Sequence, residues 1–180
     1  MATSVVRHVY SNRSSRVAVP ARDPAIAASP RLCHTGGKPA MLDSEGNDTT
    51  PVVTETYLAE VYVPDNVTVT GIAVLNGSAV DGNLCVGLYD ASGLKLAQSA
   101  ETAQADIDTY QRVPFAAAIA VVPGTYYVAV QCDDTDARIN THIFGNFGAG
   151  KLTSQTFGTM PAATMPTTFT TALGPIASLY

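Results

Sequence analysis

The sequence predicts an all-β domain, an antiparallel sandwich or barrel, and three observations carry that reading. From Thr54 onward apolar and polar residues alternate with a period of two, as in a strand with one buried face, and not with the 3.6 of a helix. The alternating runs recur at spacings of roughly 8–12 residues, the rhythm of a sandwich or barrel. Between them stand Gly, Pro, Asn and Asp, the residues that turns require.

Each run has its own logic. Thr56–Val63 (TYLAEVYV) places Tyr57, Ala59, Val61 and Val63 on one side and Leu58, Glu60 and Tyr62 on the other. Pro64–Asn66 turns the chain, and Val67–Leu75 resumes the alternation, with Thr68 and Thr70 set against Val67 and Val69. Asn76-Gly77-Ser78 and Asp81-Gly82-Asn83 are turn punctuation. In Leu84–Asp90 the core face holds Leu84, Val86 and Leu88, which turns Cys85 and Tyr89 to the opposite face. Asp90-Ala91-Ser92-Gly93 followed by Leu94–Gln98 reads as a short hairpin in which Gly93 supplies a positive φ.

Ser99–Asp108 is the one segment suited to a helical turn or a long crossing loop. Tyr110–Val113 and Phe115–Val122 are apolar, and Val122-Pro123-Gly124-Thr125 predicts a type II turn with a left-handed glycine. Thr125–Cys132 puts Tyr126, Val128, Val130 and Cys132 on the core face. Asp133–Asp136 is a further turn and Arg138–Phe144 a further strand. Thr153–Tyr180, rich in Thr, Ala and Pro, is expected to be extended. The chain therefore divides into a basic arm over residues 1–53, a sandwich body over 54–152 and an extended C-terminal segment over 153–180.

Charge separates the arm from the body. Charged residues make up 14% of the chain, against about 25% in an ordinary domain, which excludes a highly charged disordered protein. The net charge is −5. Residues 1–40 hold six basic side chains (Arg7, Arg13, Arg16, Arg22, Arg31 and Lys38) against Asp23, a net +5. Residues 41–180 hold four basic side chains against fourteen acids, a net −10. Arg7, Arg13, Arg16, Arg22 and Arg31 are the candidate residues of a docking arm that lies on an acidic neighbour, the alternative on charge alone being a solvated, flexible tail. Nucleic acid is the weaker partner, because these arginines form no compact basic run and Tyr10 is their one aromatic companion. No run approaches the roughly 18 apolar residues that span a bilayer, so no membrane partner is expected. The N-terminal stretch also lacks the apolar core of a secretory signal.

Gly145–Lys151 fits the spacing GxxxxGK, but Leu152 stands where Ser or Thr should hold magnesium, and Pro161 and Pro166 follow where a helix is needed. A plain glycine-rich loop is the expectation. Cys33-His34 has the residue types of a nucleophile and base, yet neighbours in an extended arm do not converge on one substrate. His8 and His142 stand apart. The clusters Asp43/Glu45/Asn47/Asp48 and Asp133/Asp134/Asp136 offer oxygen ligands for calcium without matching the helix–loop–helix calcium loop. The absence of Trp leaves few aromatic platforms for a sugar. Cys33, Cys85 and Cys132 are odd in number and widely spaced, which suits reduced thiols and not a metal centre. No catalytic residue, no cofactor and no metal are expected.

The runs VYVPDNVTVTGIAVLNGSAVDGNLCVGLYDASGLKLAQSA and PFAAAIAVVPGTYYVAVQ resemble the jelly-roll modules of tailed-bacteriophage structural proteins, over about residues 55–145. The resemblance implies a jelly-roll-like β-sandwich with an extended N-terminal arm and a C-terminal extension. It further implies a non-enzymatic capsid decoration (cement) protein, located in a virion assembled in the host cytoplasm. Its partners would be the major capsid protein or other virion subunits, and further copies of itself, a homotrimer being favoured. A tail or fibre component, or a carbohydrate-binding sandwich that recognises a host glycan, is the alternative.

Overall fold

A computed structural model of the chain describes residues 33–35 and 46–180. It is all-β, with every strand pairing antiparallel. The strands are β1 (Cys33–His34), β2 (Gly46–Thr49), β3 (Thr56–Val63), β4 (Val67–Leu75), β5 (Asn83–Asp90) and β6 (Lys95–Gln98). They continue with β7 (Thr102–Ala103), β8 (Tyr110–Val121), β9 (Gly124–Cys132), β10 (Ile139–His142), β11 (Ala149–Leu152) and β12 (Ala177–Leu179). One sheet runs β1-β12-β4-β8. The other runs β11-β3-β9-β5-β6, with β7 also on β5, and β10-β2 form a separate ribbon. Among the described residues no helix is long and apolar enough to cross a membrane.

The winding is jelly-roll-like. β3 pairs with β9 in one sheet while β4 pairs with β8 in the other, so the β3–β4 and β8–β9 connections both cross between sheets. Between them lies the core: Val61, Val86, Leu88, Val128 and Val130 are buried as alternation predicts, and Ile72 and Val113 join them. Cys132 belongs to this core, whereas Cys85 and Tyr89 face the other side of β5, and both thiols are free. Two thiols on opposite faces of one sheet cannot meet the geometry of a disulfide.

The Asp90–Leu94 hairpin forms with Gly93 at φ +86°, as its sequence requires. Other local expectations are corrected. Val122–Thr125 is not a type II hairpin turn, because β8 and β9 lie in different sheets and Gly124 opens β9 without a positive φ. The corner is held by the Tyr126 hydroxyl, which donates to Val122 O at 3.0 Å. Ser99–Asp108 has no helical turn; it is a crossing loop that carries β7, with Asp106 and Asp108 at φ +63° and +52°. Aspartate tolerates that region because its short polar side chain bonds locally. Tyr110–Val121 is a single strand, not two. Its register against β4 jumps from Gly71↔Pro114 to Val69↔Ile119, which leaves residues 115–118 opposite Thr70. Proline has no amide to give the ladder, and a bulge absorbs the loss.

The C-terminal segment is extended, as predicted, and it is an integral layer of the sandwich. Met160 and Met165 pack on Leu58, Cys85, Tyr89, Tyr127 and Ala129, the outer face of the larger sheet. The Tyr89 hydroxyl donates to Pro161 O at 2.9 Å and the Tyr127 hydroxyl to Pro166 O at 3.0 Å. Further on, β12 enters the smaller sheet between β1 and β4. Two described pieces of the region read as an arm are likewise built in: β1 pairs with β12 and β2 with β10.

Candidate functional site

The arm arginines Arg7, Arg13, Arg16, Arg22 and Arg31 lie outside the described residues. What the structure describes is the short stretch Cys33–Thr35 that follows them. β1 sets Cys33 opposite Leu179 and His34 opposite Ser178, and Thr35 then bridges to Val61 of β3. These three residues therefore tie into both sheets. The Thr35 amide donates to Ala177 O at 2.9 Å, and the Ala177 amide donates to Thr35 Oγ1 at 3.1 Å. The Thr35 hydroxyl reaches Pro175 O at 2.9 Å.

His34 and His142 flank that threonine, and both are buried. His34 Nδ1 donates to Thr35 O at 2.8 Å, which leaves Nε2 to accept from the Tyr110 hydroxyl at 2.8 Å. His142 Nε2 stands 2.9 Å from Thr35 Oγ1. The two rings are 6.1 Å apart, and Phe147 lies edge-on to His142 at 5.0 Å with Phe169 behind it. Burial holds the His34 pKa below the ordinary histidine value, with the bond to Thr35 O opposing. The expected isolation of His142 is thus corrected: β10 carries it to His34 from more than a hundred residues away. No spacing rule could have found that pair, because it is made by two different strand pairings.

Of the predicted acidic clusters, Asp43 and Glu45 lie outside the described residues, while Asp134 and Asp136 meet Asp81, which belonged to neither. Asp81, Asp134 and Asp136 place carboxylate oxygens within 4.8 Å of one another and could offer them to a divalent cation. Asp81 Oδ1 also accepts from Gly82 N at 2.7 Å, and Asp134 Oδ1 from Asp136 N at 2.7 Å, so the carboxylates also shape their own turns. Asp48, from the other predicted acidic cluster, accepts from Ser78 N and Oγ.

The expected plain glycine-rich loop is corrected in its second half: Ala149–Leu152 is strand β11, in an antiparallel ladder with β3, so Lys151 closes the GxxxxGK run where no helix N-terminus is available for phosphate. Its ammonium is 2.7 Å from Glu55 Oε1, and the Tyr57 hydroxyl donates to the same carboxylate at 2.9 Å. Burial, then the bond to Glu55, holds the Tyr57 hydroxyl protonated far above the ordinary tyrosine range. A groove of about 290 Å³ runs between Leu96–Gln98 of β6 and Ala116–Ile119 of β8. No family model, curated protein or solved structure matches this chain.

Proposed function

We propose that the chain is a non-enzymatic structural protein of a virion, of the cement type, which fastens neighbouring capsid subunits through the basic segment that precedes β1. The observation that carries this reading is how the stretch after that segment is held. Cys33–Thr35 is hydrogen-bonded to β12 and bridged to β3, so a pull on the preceding segment is passed to both sheets. A tail that merely trails in solvent has no use for such an anchor.

The charge division points the same way. A +5 segment and a −10 remainder within one chain complement each other between copies, which supports a homo-oligomer as well as a bond to the major capsid protein or another virion subunit. Exposed ion pairs contribute only about 0–1 kcal/mol each, so Arg7, Arg13, Arg16, Arg22 and Arg31 cannot hold the contact alone. Burial of Val5, Val6, Val9, Val17, Val19 and Ile26 would supply the rest, at roughly 25 cal/mol per Å² of apolar area.

Deleting residues 1–32 should leave the sandwich folded, because every described strand lies beyond the cut, while co-sedimentation with particles that lack the protein is lost. Raised salt should weaken attachment of the full chain only modestly. Full binding by the folded truncation would refute the arm and favour a tail or glycan-binding role.

A further inference from the structure

We propose that His34 is an acid-sensitive latch: its protonation frees β1 from β12. β1 is two residues long, and among the described residues His34 and Thr35 make the side-chain bonds at its end. The weak point of the sheet therefore coincides with a titratable ring.

Atom by atom, the neutral ring fits and the charged ring does not. Nδ1 already carries a hydrogen, given to Thr35 O. A second proton must go to Nε2, the atom that accepts from the Tyr110 hydroxyl, so that bond has to break or reverse. The described groups around the ring offer little to a cation. β12 sets Ser178 opposite His34, and β10 presents His142, a second titratable ring that shares Thr35 with it. From β8 comes Tyr110, and the cation further along that strand, Arg112, lies 4.9 Å over the Tyr180 ring. Among the described residues no carboxylate contacts His34.

The direction with pH follows. A ring whose folded pKa is lowered from 6.5 leaves the anchor at full strength above about pH 6.5 and weakens it as pH falls toward the folded value. Each pH unit inside that window shifts the closed-to-open ratio by up to about tenfold.

Hydrogen exchange on the full chain at pH 7.5 and 5.0, corrected for the intrinsic rates, tests this. The peptide that ends in β12 should lose protection at pH 5.0, by up to about tenfold for each pH unit between 6.5 and the folded value, while β3 and β9 keep theirs. The variant His34→Gln, which hydrogen-bonds without titrating, should remove the pH dependence. Unchanged protection of β12, equal loss in β3 and β9, or an H34Q protein that keeps the wild-type pH response would each overturn the latch. Should H34Q fail to fold, the imidazole resonance of His34 decides within the wild-type chain. Titration near 6.5 with β12 still protected refutes the proposal, and titration below 6.5 in step with the loss of β12 protection supports it.

Discussion

Met160 offers a quantitative test of the C-terminal layer. Its side chain is 1% exposed and lies on the outer face of the larger sheet, against Leu58, Cys85, Tyr89, Tyr127, Ala129 and Met165. Met160→Ala removes three heavy atoms from a closed site, and core truncations of this kind cost about 2–5 kcal/mol. The covering segment is extended and held largely by side-chain bonds, among them Gln131 Nε2 to Thr159 O at 3.1 Å and Gln98 Nε2 to Gly158 O at 2.6 Å, so it can settle inward. That places the expected loss at the lower end, about 2–3 kcal/mol. For a chain of 180 residues this is a fall in Tm of roughly 4–12 °C.

Gly87 supplies the control. A Cβ there would overlap Met160 Sδ, so Gly87→Ala alone should destabilise by about 1–3 kcal/mol, less about 0.5–1 for the better strand former. In the Met160→Ala background the same methyl enters vacated space, and the pair should couple by at least about 1 kcal/mol. Urea unfolding of the four proteins measures all of this, with midpoints shifting at constant slope. A Met160→Ala loss under about 0.5 kcal/mol, or strict additivity with Gly87→Ala, would show that the segment does not seal this face.

Two further outcomes follow from single side chains. Lys151→Ala should leave any nucleotide titration flat and cost about 1 kcal/mol, because Lys151 is partly exposed while Glu55 loses its cation in a buried setting; saturable ATP binding by the wild-type chain, lost in the variant, would contradict this. Burial, with Asp133 adding to it, pushes the Cys132 thiol up to about 12. A raised thiol pKa leaves stability intact below the unfolded value of about 8.5 and erodes it as pH climbs toward 12, which unfolding midpoints at pH 8 and 10 would register. Cys85 and Cys132 should both ignore a disulfide reagent at pH 8 in the native protein and react once denatured; prompt native reaction of either would place it outside the core.

The long strands of the body and their inner faces were legible in the amino-acid order alone. Alternation in TYLAEVYV, LCVGLYD and TYYVAVQC is a local signal, and it correctly turned Val61, Val86 and Val130 inward and separated Cys85 from Cys132. Gly93 likewise announced its own turn. Partnerships were a different matter, since they depend on which strands meet across the fold. Val122-Pro123-Gly124 carries turn residues in the order of a hairpin, yet only the split of β8 and β9 between two sheets made it a corner. Leu58, Tyr89 and Tyr127 fell on the face that alternation leaves to solvent, and the apolar character of that face made sense only once Met160 and Met165 lay across it. The meeting of His34 with His142, and of Asp81 with Asp134 and Asp136, had no signature in spacing at all. Period-two patterning records which side of a strand is buried, while the contacts between strands distant in the chain are set by the pairing of the sheets, and pairing is a property of the folded whole.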